Sequence, residues 1–435
     1  MLSRFWRPIL FFTFVLAFLI SAPLVVLYTA GYRYHPGSGK IVQTGIVSVS
    51  SLPKGATVWI DGQERKEHTP AVIDDVWPGA HLIRVEKPDY SSWQKTLDVV
   101  SRQSIFASNI VLFLTEPPTS QPAPKDFEQS LVHGQTGTVA FFKKITGGYE
   151  IWGKKIDNDL ARIALISTTD PSRLKKGLWS QDGRYLFVAD SIVDIQTRKI
   201  IRTLNNGTTM VFDARANERG YLLDDKKVSE VDFLTGATTP LPFSAMAIAS
   251  NGNDRLLIQN TADRSILSTM NPDGIASILA YLPIGSYRFV PAPDPYLLVE
   301  DTLRGRVILI DPREKTEPIL LNSDATEWTF DESTHGLLFT DGFAIERYDP
   351  STHNRVTVTR LSQPIHDLHW YAQGKVVVFE TGGNVYAQEL DRRGEINKTT
   401  LVEGLRVADY WFEEDGAWIA GITKEGGGFR KRLQR

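Results

Sequence analysis

The sequence predicts an all-β protein with one N-terminal membrane-spanning helix, a small antiparallel β-sandwich and a C-terminal β-propeller. Three observations predict this class. An uncharged apolar run opens the chain, the next segment alternates polar and apolar side chains in period two, and the remainder repeats one pattern about every forty residues. Repeats of that length with strand-length apolar runs are typical of propellers, in which each unit forms a small sheet.

The apolar run covers residues 8–30 and contains no charged side chain. A helix of this length reaches about 34 Å, which exceeds the roughly 30 Å hydrocarbon core of a bilayer. The alternative is a cleaved signal peptide, but its apolar region would be only about 7–15 residues long and would lead into a small-residue cleavage site. We therefore expect an uncleaved single-pass anchor. Lipoprotein processing is excluded because the chain has no cysteine.

Orientation depends on the basic residues that flank this run. Arg4 and Arg7 precede it, whereas Arg33 and Lys40 follow it, so the positive-inside rule favours a cytoplasmic N-terminus only through the terminal amine and the closeness of the first two arginines to the membrane. The bulk of the chain is then expected on the extracytoplasmic side of a bacterial cell membrane. The net charge is −3, and basic and acidic side chains are interspersed along the chain, so no nucleic-acid partner is expected.

Composition divides the chain into five segments. A proline-rich stretch, which favours an extended spacer, marks the main boundary. The expected segments are a cytoplasmic stub and transmembrane helix at 1–31, a juxtamembrane linker at 32–40, a β-sandwich at 41–115, a Pro-rich linker at 116–125 and the propeller at 126–435.

The sandwich segment carries four sequence blocks, at residues 51–62, 69–70, 77–81 and 89–93. The first contains Pro53-Lys54-Gly55-Ala56, and the order and spacing of all four resemble a PEGA domain, with lysine in place of the usual glutamate. The resemblance implies a small extracytoplasmic β-domain without an enzymatic role.

The repeated pattern of the propeller segment is an apolar run, an acidic or amide residue, a short polar turn and a second apolar run. The turn residues are Asp157, Asp194, Asp232, Asn271, Asp311, Asp349 and Asp391. One further turn, Trp179-Ser180-Gln181-Asp182-Gly183, resembles the corresponding turn of TolB-like and WD40-like propeller repeats. Asp and Gly suit its tight backbone, and the aromatic side chain is expected to pack between neighbouring units.

The units can be counted. Full four-stranded units are expected to begin near Leu131, Leu174, Thr209, Met246, Tyr287, Glu327 and His366. After these seven, the chain has apolar runs for only three more strands. Because an open last sheet would expose an edge, we expect an N-terminal strand at about 124–130 to complete an eighth blade. A seven-bladed ring is the alternative.

No residue of the sequence is predicted to be catalytic, cofactor-binding or metal-ligating, and the binding residues stay unknown. The sequence has no zinc-protease, nucleophile-elbow or phosphate-loop motif. The nearest approach to a metal cluster is His366-Asp367-Leu368-His369, but the two histidines are expected on opposite faces of a strand, one of them towards the channel. Residues 413–415 and the basic residues from Lys424 to Arg435 are expected to be solvated.

These observations predict a non-enzymatic, membrane-anchored scaffold of the cell envelope, whose propeller binds an envelope protein or cell-wall glycan. No cofactor is expected. Two alternatives stay open: an envelope hydrolase or lyase that uses carboxylates in the propeller channel, and a purely structural spacer. Short connections between the strands favour binding, since hydrolytic propellers usually build active sites from long insertions.

Overall fold

The computed structural model describes residues 6–35, 39–121, 127–133, 136–154, 161–168, 170–175, 177–204, 209–224, 227–331 and 334–435. The chain divides into two compact units. The first consists of Met1–Thr115 with Gln388–Thr399, and the second of Glu116–Ala387 with Thr400–Arg435.

The first unit begins with helix α1, Trp6–Thr29, which runs through Pro23. Its apolar side chains are exposed, and Ile9–Thr29 has a mean hydropathy of 2.7. By length and composition this is the one helix in the described part of the chain that could cross a membrane, as an anchor or as a signal sequence. The predicted long apolar helix is therefore confirmed.

Two paired antiparallel strands follow the helix where the sequence predicted a juxtamembrane linker. The strands are β1, Tyr32–His35, and β2, Lys40–Gln43. Arg33 donates to the Tyr28 carbonyl at 2.6 Å and pairs with Asp75 at 2.9 Å. The Gln43 amide donates to the Ala30 carbonyl at 2.7 Å. These bonds connect the end of the helix, strands β1 and β2 and the domain that follows.

The next seven strands form the predicted β-sandwich. They are β3 Gly45–Leu52, β4 Thr57–Ile60, β5 Gln63–His68, β6 Ala71–Val76, β7 Gly79–Glu86, β8 Trp93–Val99 and β9 Ser104–Val111. One sheet has the order β6-β3-β9 and the other β5-β4-β7-β8. Side chains that alternate inward, such as Val47, Val58, Val85 and Trp93, form a single core between the sheets.

One strand pair in the sandwich corrects the sequence prediction of a purely antiparallel domain. β9 lies parallel to β3, with Ile46 opposite Ser104. The two strands are joined through the whole second sheet, and a long crossover of this kind permits a parallel pair.

The segment Gln388–Thr399 supplies the partner of a buried lysine in the first unit. Lys95 lies on the inward face of β8 with its side chain fully buried, and its ammonium is 2.6 Å from the Glu389 carboxylate. It also donates to the Asp391 carbonyl at 2.7 Å, while the Trp93 indole donates to Glu389 at 2.8 Å. A buried charge needs such partners, because an unpaired ammonium is strongly destabilising.

The second unit consists of repeated four-stranded sheets. Their strands, two of which extend into Gln388–Thr399, are β10 Thr119–Gln121, β11 Gln129–His133, β12 Thr138–Ile145, β13 Gly148–Lys154, β14 Ala161–Ile166, β15 Leu178–Trp179, β16 Tyr185–Val188, β17 Ser191–Asp194, β18 Lys199–Thr203, β19 Thr209–Phe212, β20 Arg219–Asp224, β21 Lys227–Asp232, β22 Thr238–Leu241, β23 Ala247–Asn251, β24 Asp254–Asn260, β25 Ser265–Met270, β26 Ala276–Leu282, β27 Tyr287–Val290, β28 Leu297–Asp301, β29 Arg306–Ile310, β30 Ile319–Asp324, β31 Glu327–Phe330, β32 Leu337–Thr340, β33 Ala344–Asp349, β34 Asn354–Arg360, β35 Ile365–Tyr371, β36 Val376–Thr381, β37 Asn384–Glu389, β38 Lys398–Val402, β39 Val407–Glu413, β40 Trp418–Thr423 and β41 Gly428–Arg432. A short helix α2, Ser172–Lys175, precedes β15, and a 3-10 turn, Glu414–Gly416, follows β39.

Within the described ranges these strands form eight four-stranded sheets. Seven of them take four strands in chain order, from β11–β14 to β35–β38. The eighth has the order β10-β41-β40-β39, so it combines strands from the start and the end of the unit. This repeated organisation is consistent with a propeller, as the period of the sequence predicted.

The strand that completes this last sheet lies earlier than predicted. Thr119–Gln121 pairs with β41, with Ser120 opposite Phe429, whereas Gln129–His133 is the first strand of the following sheet. The prediction of an N-terminal closing strand is confirmed, but its position at 124–130 is wrong, and residues 122–126 lie outside the described part. The closing strand has only three residues, too few to show period-two alternation.

The recurrent acidic residues occupy the turns between the third and fourth strands, as expected. Asp194 accepts the backbone N–H of Gln196 and of Thr197, at 2.8 and 3.0 Å. Equivalent bonds to a backbone N–H two residues on are made by Asp232, Asp311, Asp349 and Asp391. Such Asx turns replace a backbone turn with a side-chain acceptor, which explains the residue type. Asp157 lies outside the described residues.

The turn at Trp179 also has the expected geometry. The Ser180 hydroxyl bonds to Asp182 at 2.6 Å and accepts the Tyr185 N–H at 2.9 Å, while Gly183 has a φ of +66°. Trp179 packs against an apolar cluster built from two neighbouring sheets, which include Phe142 and Leu186. The aromatic side chain therefore lies between repeats, as predicted.

Candidate functional site

The first strands of seven sheets converge on one cavity in the second unit. This central cavity has a volume of about 430 Å³. Its lining residues include His133, Trp179, Phe212, Ala247, Phe289, Trp328 and His369, which belong to β11, β15, β19, β23, β27, β31 and β35 respectively. A volume in the range of about 300–1,000 Å³ is typical of small-molecule sites. The central cavity, on which these first strands converge, is therefore the candidate site.

Aromatic side chains form much of the cavity wall. Trp179, Phe212, Phe289 and Trp328 are each half-buried where they line it. Each comes from a different sheet, so the aromatic faces surround the cavity from several directions. A wall of this kind favours ligands with flat apolar surfaces.

Two histidines also line the cavity. Burial lowers the pKa of His369 to about 4, and its ring lies 5.0 Å from that of Tyr410 and 5.8 Å from that of Phe412. Burial also lowers the pKa of His133, whose Nδ1 is 2.8 Å from the Thr136 hydroxyl. Both imidazoles are therefore uncharged at neutral pH.

A cluster of carboxyl groups lies near the starts of strands β31, β35 and β39, the first two of which contribute residues to the cavity wall. We refer to Glu327 of β31, Asp367 of β35 and Asp409 of β39 as the acid cluster. The Glu327 carboxylate accepts the Leu368 N–H at 3.1 Å and is 3.6 Å from the His366 imidazole. Tyr410 donates its hydroxyl to the Asp367 carbonyl at 2.5 Å. These contacts hold neighbouring first strands together.

The acid cluster disfavours ionisation. Burial, with the neighbouring carboxylates of Asp409 and Glu327, raises the pKa of Asp367 to about 9. Burial and Glu327 raise the pKa of Asp409 to about 7, and burial raises the pKa of Glu327 as well. Among the described contacts, Asp367 Oδ2 is buried without a hydrogen-bond partner. Like charges at close range in a low-dielectric site cannot all ionise, so Asp367 is protonated at pH 7.

The cluster could have been found from the spacing of the repeat. Glu327, Asp367 and Asp409 follow one another at intervals of 40 and 42 residues, which is the repeat period itself. The sequence prediction includes Asp367 only as part of the segment with the two histidines. Asp367 has a φ of +50° at a bulge in β35, which interrupts the period-two pattern assumed there. His369 lines the cavity and His366 is exposed, so one of the two faces the channel as expected.

Metal ligation has no support within the described part of the chain, where no group of three or more His, Asp or Glu side chains could hold an ion.

Two charged side chains that were expected to be solvated are buried instead. Glu413 is buried, accepts from Arg430 at 2.7 Å and bonds to the Trp411 indole at 3.2 Å. Lys431 is buried as well and donates to the Leu401 carbonyl at 2.7 Å. Both side chains point inward from strands of the last sheet, which the charge pattern alone does not show.

One comparison with known protein families supports the predicted type of the sandwich domain. The PEGA domain family matches residues 44–110, the sandwich of the first unit. No curated protein matches the chain in sequence.

Similar solved structures include a chain of the mitotic checkpoint complex, with 14% identity, a TM-score of 0.44 and coverage of 74% of this chain and 95% of that one. A streptogramin B lyase shows 12% identity, a TM-score of 0.40 and coverage of 73% and 97%. The β-propeller domain of Myceliophteria thermophila Cps50 (Swd1) shows 17% identity, a TM-score of 0.35 and coverage of 58% and 94%. The neighbours have WD40 or β-propeller-like folds, and at these identities they say nothing of function.

Proposed function

We propose that this chain is a single-pass, membrane-anchored protein of the bacterial cell envelope whose second unit is an eight-bladed propeller that binds an envelope protein or cell-wall glycan without catalysis. The central cavity is the observation that carries the proposal. A rigid ring of sheets that surrounds an aromatic-lined cavity presents a preformed site, and preformed sites bind with little ordering cost. A cytoplasmic N-terminus and an extracytoplasmic bulk complete the proposal.

The position of the acid cluster supports binding over catalysis. The cavity wall, as far as the structure describes it, does not include Glu327, Asp367 or Asp409. A ligand in the cavity therefore does not contact these carboxyl groups directly. His369 does line the cavity, but a pKa of about 4 makes its imidazole a weak base at neutral pH.

An envelope hydrolase is the second candidate, and one observation favours it. Asp367 and Asp409 have pKa values raised to about 9 and about 7, which is the kind of divergence that separates a general acid from a general base. Turnover of cell-wall oligosaccharides by the full-length protein, abolished in Asp367→Asn, would establish this candidate. A purely structural spacer would show neither turnover nor a ligand.

Site-specific cross-linking tests the binding role. A photoreactive phenylalanine analogue replaces Phe289 at the cavity or, as the control, Leu303, which is exposed and does not line the cavity. We expect the full-length protein in cells to give a discrete cross-linked envelope product from position 289 and none from 303. Equal labelling from both positions, or none from 289, would contradict a ligand site in the cavity.

A further inference from the structure

Few ionisable groups line the central cavity. Among the described lining residues these groups are His133, Asp213, Arg288 and His369, apart from a tyrosine hydroxyl that bonds to a backbone carbonyl. Both histidines are neutral at pH 7 for the reasons given above. Each of the other two groups is bound to a partner inside the protein.

Asp213 is saturated by internal donors. It accepts the Tyr221 hydroxyl at 2.9 Å, the Ser250 N–H at 3.1 Å and the Arg215 N–H at 3.0 Å. The Arg288 guanidinium is half-exposed and donates through its Nε to the Glu300 carboxylate. A cationic ligand would lose its hydration in this cavity without gaining a carboxylate that lacks internal donors, which is strongly unfavourable. The cavity therefore favours an uncharged ligand over a cationic one.

The backbone edges of the first strands supply both hydrogen-bond donors and hydrogen-bond acceptors. β15, β19, β23, β27 and β31 are each the first strand of their sheet, so one backbone edge of each has no strand partner within that sheet. Residues of all five strands line the cavity. An unpaired edge alternates N–H donors and C=O acceptors. Such a wall suits a ligand whose groups both donate and accept, as hydroxyl groups do.

Aromatic faces and edge polar groups together specify one ligand class. Sugar rings combine hydroxyl groups around their rim with apolar C–H faces, which match half-buried side chains such as Trp179, Phe212, Phe289 and Trp328. A volume of about 430 Å³ lies in the lower part of the usual range for ligand pockets, so a short saccharide fits better than a long chain.

We propose that the central cavity binds the end of a neutral saccharide, stacked on Trp328 and Phe289. This inference rests on the proposed binding role and narrows its ligand from protein or glycan to an uncharged glycan.

Calorimetric titration of the full-length protein in lipid nanodiscs tests the proposal. The probes are the neutral disaccharides N,N′-diacetylchitobiose, cellobiose and maltose, and the deacetylated, cationic form of the first. We expect at least one neutral probe to bind and the cationic form to bind about tenfold more weakly or not at all. Binding of the cationic form with equal affinity, or binding of no neutral probe, would overturn the proposal.

Matched variants locate the site. Trp328→Ala should weaken saccharide binding about tenfold through the loss of one aromatic face. Phe289→Leu keeps the apolar volume and removes a second face, so it serves if the first variant does not fold. The control is Trp418→Ala, on β40, which does not line the cavity. If folded Trp328→Ala and Phe289→Leu bind as tightly as the unchanged protein, the cavity is not the saccharide site.

The cross-linking experiment separates the two proposals. An envelope protein captured from position 289, together with no saccharide binding, would retain the scaffold role and reject the saccharide. Loss of both signals would reject both.

Discussion

Asp367 combines a strained backbone with a carboxyl group that burial keeps protonated. Its folded pKa of about 9 exceeds the unfolded value of about 3.9. Between these values the unfolded chain binds fewer protons than the folded one, so the free energy of unfolding falls as pH rises from about 4 to about 9. Asp367→Asn removes this loss, and asparagine tolerates the positive φ. We expect the unfolding midpoint to rise by about 2 °C or more at pH 8, with no gain at pH 4, as measured by calorimetry.

Asp341 provides the matched control with the opposite sign. It accepts the backbone N–H groups of Ala344 and Phe343 at 2.7 and 2.8 Å, and these bonds lower its pKa. A depressed folded pKa stabilises above the unfolded pKa, and this stability is lost as pH falls. Asp341→Asn should therefore lower the midpoint at pH 8 and have less effect near pH 3. Two asparagine variants that shift in the same direction would contradict the assigned pKa directions.

Lys95 shows what a buried charge requires. Replacing it with methionine leaves the Glu389 carboxylate, which is only 11% exposed, without its ammonium partner. Breaking such a pair costs about 3–5 kcal/mol. We expect Lys95→Met to increase hydrogen exchange in Gln388–Thr399, measured by mass spectrometry, and the double variant with Glu389→Gln to recover part of the protection. Unchanged exchange in the single variant would show that the ion pair does not hold this segment.

At the scale of elements, the closing strand β10 offers a direct test of how the last sheet is assembled. Thr119 lies opposite Arg430 in the register of β10 and β41. Cross-strand neighbours in an antiparallel pair have Cα atoms about 4.5–5.5 Å apart, which a disulfide can bridge. Because the chain has no cysteine, Thr119→Cys with Arg430→Cys should form one defined disulfide. We expect the oxidised form to be more stable than the reduced form by about 4 kcal/mol, which is measured as a higher unfolding midpoint.

The control for this disulfide uses the period of two along a strand. Ser120→Cys with Arg430→Cys places the thiols on opposite faces of the sheet, since Ser120 is opposite Phe429. This pair should stay reduced in a thiol assay. Efficient oxidation of the control pair, or none of the Thr119 pair, would refute the register.

Elements with a periodic signal were predictable and elements without one were not. The helix α1 and the acidic turn residues were found because hydropathy and spacing mark them directly. Three-residue β10 and the parallel pair of β3 with β9 were missed, because short strands lack a pattern and strand direction leaves no trace in alternation. The acid cluster was not predicted, because the predicted repeat is defined by its turn residues and not by the residues near the starts of β31, β35 and β39.

At the scale of the whole molecule, the proposed anchor can be tested through α1. Val15→Arg with Leu19→Arg places two charges near the helix centre, each unfavourable by about 2.5–3.5 kcal/mol for insertion. We expect this variant to move from the membrane pellet to the supernatant after alkaline extraction. Ile41→Arg, at an exposed position after the helix, should stay in the pellet. N-terminal sequencing of the unchanged protein should find α1 retained, and a mature chain that starts after Thr29 would identify a signal sequence instead.

The composition of the first unit has a consequence for biosynthesis. Trp93 and Lys95 emerge from the ribosome early, yet the carboxylate that they share lies 296 residues behind Trp93 in the chain. Until Glu389 has been translated, the Lys95 ammonium lacks the carboxylate that pairs with it in the folded domain. The domain encoded first therefore completes its buried ion pair only after most of the chain has been made, and a nascent chain arrested before residue 389 will expose this domain to proteases.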